Sequence, residues 1–204
     1  MKISSSLLFL LLFTTLNVAA QEEEKADDEK KGGFKKENLF TGGTVNLSFG
    51  NQVTALGLSP FFGYSINRFV DVAATVGMNY ISQRDVLYAN DKLRQTIYGP
   101  GAFVRLFPVK FLFAQAQYEF NFIRYKYIPV SGSGQPSETT KLDAQSFLVG
   151  AGYAGGRNSD NKSYYYISVL WDIAKAKNSP YTDNLDRAVP IIRAGYNIAL
   201  FQGR

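Results

Sequence analysis

The acidic and basic side chains, 17 and 22 in a chain of 204 residues, come with no histidine and no cysteine. Without an imidazole, neither a Ser–His nor an Asp–His constellation can be assembled. Without a thiol there is no disulfide and no thiolate chemistry. Carboxylate-pair catalysis survives in principle through Asp183 and Asp186, whose plain reading is solvated loop charge. Gly155-Gly156 has no helix after it to make a phosphate cradle. The chain is therefore expected not to be an enzyme. No catalytic, metal or cofactor-binding residue is assigned, and no cofactor is expected.

Five charges remain conspicuous because they punctuate otherwise small, uncharged runs: Asp71, Arg105, Glu119, Asp172 and Arg193. Their positions are set by strands. In Val70 to Tyr80 every even residue is apolar, and the odd ones are Asp71, Ala73, Thr75, Gly77 and Asn79. A period of two sends successive side chains to opposite faces of a sheet. The same pattern recurs over residues 40–49, 53–66, 94–107, 111–125, 142–154, 163–174 and 188–201, which makes eight strands. Each has one apolar face and one face rich in Gly, Ser, Asn and Gln. Pro60, Pro100 and Pro190 each remove a ladder donor and are expected at bulges or strand edges.

Ahead of the strands the chain changes character twice. Met1-Lys2, the apolar run Leu7 to Phe13 and Val18-Ala19-Ala20 make residues 1–20 a cleavable signal peptide. The other reading, a membrane anchor, is disfavoured because a helical span takes about 20 apolar residues. Residues 21–38 carry Glu22-Glu23-Glu24, Asp27-Asp28-Glu29, Lys30-Lys31 and Lys35-Lys36 with little to bury. They are expected to form a flexible, charged periplasmic lead-in. Residues 39–204 are expected to be the barrel domain. The formal charge of +5 is scattered rather than striped, so no nucleic-acid partner is expected.

Membrane crossing by such a chain would use strands closed into a barrel. The connections near Asn67-Arg68, Pro108 to Lys110 and Gly155 to Lys162 are short, whereas 82–93, 129–141 and 175–187 are long. That is the asymmetry of periplasmic turns and external loops. The strands' small and polar face then lines the lumen. Asp71 lies near Arg105 at the periplasmic end and Asp172 near Arg193 at the outer end. Two ion pairs are expected, with Glu119 joining one, because buried charges need partners. The five charges read as a packed plug that fixes register; a gated passage is the sharper reading. Asp71, Glu119 and Asp172 sit at different heights, which argues against a metal site. Tyr64, Tyr153 and Tyr164-Tyr165-Tyr166 are expected as an interfacial aromatic belt at one rim, and Tyr80, Tyr98 and Trp171 at the other.

Leu58 to Tyr64 (LSPFFGY), Tyr98 to Arg105 (YGPGAFVR) and the amphipathic last strand carry a family resemblance. With the signal peptide, they make the chain similar to small outer-membrane barrels of the OmpA/OmpX type, and more closely to Bacteroidetes outer-membrane β-barrels. One departure is the ending Phe201-Gln202-Gly203-Arg204, where such proteins often finish on an aromatic residue. The resemblance implies an all-β, eight-stranded antiparallel up-and-down transmembrane β-barrel in the outer membrane of a Gram-negative bacterium. It implies outer-membrane lipid and lipopolysaccharide as surroundings, and the barrel assembly machinery for insertion. The function expected is structural or surface-interacting, with a lumen filled by polar side chains and an external partner met through loops 82–93, 129–141 and 175–187. The alternatives are a narrow pore for small solutes and a soluble periplasmic ligand-binding barrel with its apolar face inward.

Overall fold

Alternating polarity becomes eight strands in the computed structural model, which describes residues 33–49, 53–157, 163–182, 185 and 187–201. A single 3-10 turn, Lys36–Asn38, leads into β1 (Leu39–Phe49), β2 (Val53–Ser65), β3 (Val70–Arg84) and β4 (Lys92–Val109). The sheet continues through β5 (Leu112–Ile128), β6 (Glu138–Gly155), β7 (Tyr164–Asp172) and β8 (Ile191–Ala199). Each strand pairs antiparallel with the next, and β8 returns to β1 from Phe40↔Ala199 to Val45↔Ala194, closing the barrel. Closure satisfies every strand's backbone laterally and removes the sheet's edges over that height. The proposed signal segment and most of the lead-in lie outside the described residues.

Connections 66–69, 110–111 and 156–163 gather at one end, hereafter the turn end, and 85–91, 129–137 and 173–190 at the other, the loop end. Three of the expected loops are shorter or longer than the sequence pattern implies. Residues 82–84, 92–93 and 138–141 belong to strands, because the ladder runs on through Arg84↔Lys92 and Lys126↔Thr139. Polar residues occupy both faces there, so the period-two signal vanishes while the pairing persists. β7 and β8, in contrast, are shorter than expected. The β6–β7 ladder begins only at Leu148↔Asp172. Above it, β6 has no strand neighbour on that side among the described residues.

Pro60 and Pro100 also behave differently from expectation, whereas Pro190 sits at a strand edge as expected. Leu58↔Met78 and Phe61↔Thr75 keep one register across Pro60, and Tyr98↔Phe122 and Gly101↔Glu119 keep one across Pro100. The ladder is interrupted at both prolines without bulging. At Pro60 the Thr75 hydroxyl donates to its carbonyl at 2.9 Å, supplying a side-chain bond where a ladder donor is missing. The register shift lies instead between Leu106 and Val109, beside the β4–β5 turn. Pro190 immediately precedes β8.

The apolar faces point outward. Leu58, Phe62, Val76, Met78, Tyr98, Tyr118, Ile167, Trp171, Ile192 and Tyr196 are all exposed, from strands around the whole circumference. A soluble monomer rarely shows contiguous apolar surface on this scale. Inside, the turn-end half holds a cluster of Phe40, Phe61, Phe103, Phe107, Phe113, Tyr164 and Tyr166. A smaller cluster of Ile97, Ile123 and Ala144 sits toward the loop end. The rings fit because glycines face them: a β-carbon at Gly42, Gly63 or Gly152 would collide with the ring of Phe61, Phe40 or Phe113 respectively.

Candidate functional site

β5 points Gln115, Gln117, Glu119 and Asn121 inward on alternate residues, and all four are buried. Two residues along a strand rise about 6.6 Å, a gap that an extended glutamine side chain bridges. Gln115 Nε2 donates to Gln117 Oε1 at 2.7 Å, and Gln117 Nε2 donates to Glu119 Oε1 at 2.8 Å. Arg105 on β4 starts this chain by donating from Nε to Gln115 Oε1 at 2.8 Å. Both amides are thus aligned between a cation and an anion, the arrangement in which neighbouring hydrogen bonds strengthen one another.

Glu119 is the loop-end terminus. Arg193 Nη2 donates to its Oε1 at 2.9 Å, and the Tyr181 hydroxyl donates to its Oε2 at 2.6 Å. Tyr181 comes from the 173–190 connection, so this loop dips into the mouth of the barrel. Ser179 secures it there, donating to Asp172 Oδ2 at 2.6 Å and lying 3.4 Å from the Ser146 hydroxyl. Asp172 Oδ1 accepts further bonds from the backbone N–H groups of Phe147 and Ala174. The expected Asp172–Arg193 pair is therefore replaced by an Arg193–Glu119 ion pair and a neutral-donor cage around Asp172.

At the turn end Asp71 and Arg105 face one another in register, yet Tyr164 separates their charges. Arg105 Nη1 donates to the Tyr164 oxygen at 3.2 Å, and the Tyr164 hydroxyl donates to Asp71 Oδ2 at 3.2 Å. The ion partner of Asp71 is Arg157, at 3.6 Å. Arg105 is caged by rings, its guanidinium carbon 4.0 Å from the centroid of Tyr166 and 4.5 Å from that of Phe103. Such cation–π contacts are strongest where water is excluded. Arg157 similarly stacks at 3.7 Å on Phe107 and donates to the Arg68 carbonyl.

All five expected lumen charges are inward and buried. The chain of polar contacts from Tyr181 to Arg157 runs through Gln115 and Gln117, which alternation puts on the inward face with Glu119, and adds Arg157, Tyr164 and Tyr181, which the sequence did not place in the lumen; Ser179 braces the Tyr181 backbone. Tyr164 and Tyr166 are corrected from the rim to the interior, since they alternate with the outward Tyr165. Tyr80, Tyr98, Tyr153, Tyr165 and Trp171 stand exposed on the outer face, and Tyr64 is half-buried there. The lumen is aromatic as well as polar, which corrects the expectation of a purely polar filling. Asp183 and Asp186 lie outside the described residues. No group of three or more metal-ligating side chains occurs among the described residues.

A second local construction holds the 85–91 loop. Asp91 closes it by accepting the backbone N–H of Val86 on Oδ1 at 2.6 Å and those of Leu87 and Tyr88 on Oδ2 at 2.9 Å. The Tyr127 hydroxyl adds a bond at 3.0 Å. Loss of water opposes the charge, but these donors outweigh it and hold the carboxyl below its ordinary value of 3.8. Leu87 and Tyr88 project from this anchored loop as exposed side chains.

No protein-family model matches the sequence, and no curated protein matches it. Among solved structures, the fold is similar to that of Ail, the attachment invasion locus protein of Yersinia pestis, in complex with the heparin analogue sucrose octasulfate. The likeness has 12% identity and a TM-score of 0.49, covering 79% of this chain and 99% of that one.

Proposed function

We propose that this chain is an integral outer-membrane barrel with a closed lumen, whose role is structural or surface-interacting and not catalytic. The observation that carries this reading is the inside-out distribution of side chains. A circumferential apolar surface faces outward, while the interior is occupied by charges, amides and rings bonded to one another. Lipid makes that outer surface favourable, and a β-barrel satisfies its backbone within lipid. The strands are long enough, since a tilted span takes about 9–11 residues.

In this reading the turn end is periplasmic and the loop end external. The filled interior favours closure over a small-solute pore, and the outward apolar face argues against a soluble ligand carrier. Insertion by the barrel assembly machinery and contact with an outside partner through the loop-end connections belong to the same proposal.

Cell fractionation with gel migration of boiled and unboiled samples tests it. A band in the outer-membrane fraction that migrates faster unboiled is expected, together with no conductance above background in planar bilayers. A soluble chain without the shift refutes the membrane reading; stable conductance steps refute the closed lumen.

A further inference from the structure

The turn-end mouth of the barrel holds a cavity of about 530 Å³, bordered by the 66–69 and 110–111 connections and by Arg157. That volume lies within the range of small-molecule sites, about 300–1,000 Å³. Arg68, Lys110 and Arg157 all line it, and no carboxylate does. Phe69, Phe107, Pro108 and Val109 supply an apolar wall.

The uncharged polar groups on the wall are set to donate. Ser65 is 6% exposed, and its hydroxyl has no hydrogen-bond partner among the described residues. Its register pairing with the inward Asp71 puts it on the same inner face. Asn67 uses its amide oxygen to accept the Phe69 N–H at 2.7 Å, which leaves its amide NH2 to donate.

Arg157 is held from three sides. Its guanidinium stacks at 3.7 Å on Phe107, donates from Nη1 to the Arg68 carbonyl at 3.1 Å, and lies 3.6 Å from Asp71. The last distance is beyond a hydrogen bond. A guanidinium carries five N–H donors, so this cation, its side chain only 10% exposed, keeps donors to spare. Arg68 and Lys110 stand exposed at the lip, and neither forms an ion pair among the described residues.

Donors and cations beside an apolar wall are complementary to an acceptor-rich anionic head on an apolar body. Asp71 sits behind the guanidinium and repels a second negative charge. A carboxylate therefore suits the site better than a doubly charged phosphate.

We propose that the turn-end mouth binds a small free carboxylic acid with an apolar body. Its carboxylate lies on Arg157, Ser65 and Asn67, and its body against Phe69, Phe107 and Val109. Arg68 and Lys110 draw the anion in from outside. The site needs the barrel but not the membrane, and the filled lumen behind it is undisturbed. Where the barrel spans an outer membrane, this mouth opens to the periplasm.

The test uses the mature chain in dodecyl maltoside, a neutral detergent, with 2-naphthoate as probe and amide resonances as readout. Saturable shifts at Ser65, Asn67 and Arg157 are expected. The neutral 2-naphthamide should bind more than about tenfold more weakly, 2-naphthyl phosphate more weakly than naphthoate, and acetate without saturation. None of these comparisons needs a variant. Equal binding of the amide overturns the site as a merely apolar crevice, and equal binding of acetate overturns it as a surface anion effect. Tighter binding of the phosphate overturns the carboxylate assignment.

Arg157→Gln should abolish saturation. Because that change also strips Asp71 of its counter-charge, Ser65→Ala provides a second variant that removes no structural bond. It should weaken naphthoate about tenfold and leave heat-dependent migration unchanged. Arg94→Gln/Arg124→Gln at the opposite end should leave binding as it is. Unaltered affinity in Ser65→Ala, or shifts confined to the outer apolar face, overturns the proposal.

Discussion

The Tyr181 hydroxyl reaches from the 173–190 connection to Glu119 on β5 at 2.6 Å, joining the last loop to the middle of the barrel wall. Because Glu119 also takes Arg193 and Gln117, the loop is tied into the same polar chain that ends at the turn-end ring cluster. Tyr181→Phe keeps the ring and deletes the donor. Loss of a bond to a charged acceptor should cost about 1.5–3 kcal/mol, read as a lower urea midpoint in vesicles. Protease cleavage within 173–190 should rise, while conductance stays absent because the lower ring layer remains.

Arg193 and Glu119 should show strong coupling. Glu119→Leu leaves a buried guanidinium without its counter-charge, and about 3–5 kcal/mol of stability should be lost. Glu119→Leu with Arg193→Leu should recover a large part of that loss. A double-mutant cycle from vesicle unfolding measures the difference. Additive losses would show that the pair contributes nothing as a pair.

Gly63 should tolerate no larger residue. Gly63→Val places branches where the Phe40 ring lies, and overpacking of this kind costs about 1–3 kcal/mol. Combining it with Phe40→Ala should relieve part of the strain. The checks are the temperature at which the folded band converts to the unfolded one, and the compensation in the double variant.

The 85–91 loop should open in acid. The Asp91 carboxyl sits below 3.8 in the folded chain, so its stabilising contribution is complete above that ordinary value. It is lost as pH falls through the lower, folded value. Backbone exchange at Val86, Leu87 and Tyr88, or proteolysis of the loop, should accelerate only at the acid end of that window. Asp91→Asn should bring the fast behaviour to neutral pH and remove its pH dependence.

Strand faces were legible because alternation is a local property: Asp71, Arg105, Glu119, Asp172 and Arg193 could each be placed inward from their neighbours alone. Partners were not legible, because a narrow lumen lets side chains meet across it. Tyr164 on β7 reaches Asp71 on β3, and no pairing between adjacent strands hints at that. Tyr181 and Ser179 sit in a polar loop with no periodicity to show that it folds inward. Tyr164 and Tyr166 were readable in principle, since their parity opposes that of Tyr165; aromatic character obscured it. The loop-end strand extensions were hidden for the opposite reason. Outside an apolar slab both faces carry polar residues, and ladder pairing leaves no mark in hydrophobicity.

The unequal heights of β6 and β7 leave the upper flank of β6, residues 138–146, without a strand neighbour on one side among the described residues. Such a flank is a template on which an extended segment of another molecule can add itself. Lys141 and Asp143 stand there on the outward face, and charge at an open flank discourages stacking between copies. Neutralising both is expected to favour side-by-side pairing through that flank, read as a larger species after cross-linking.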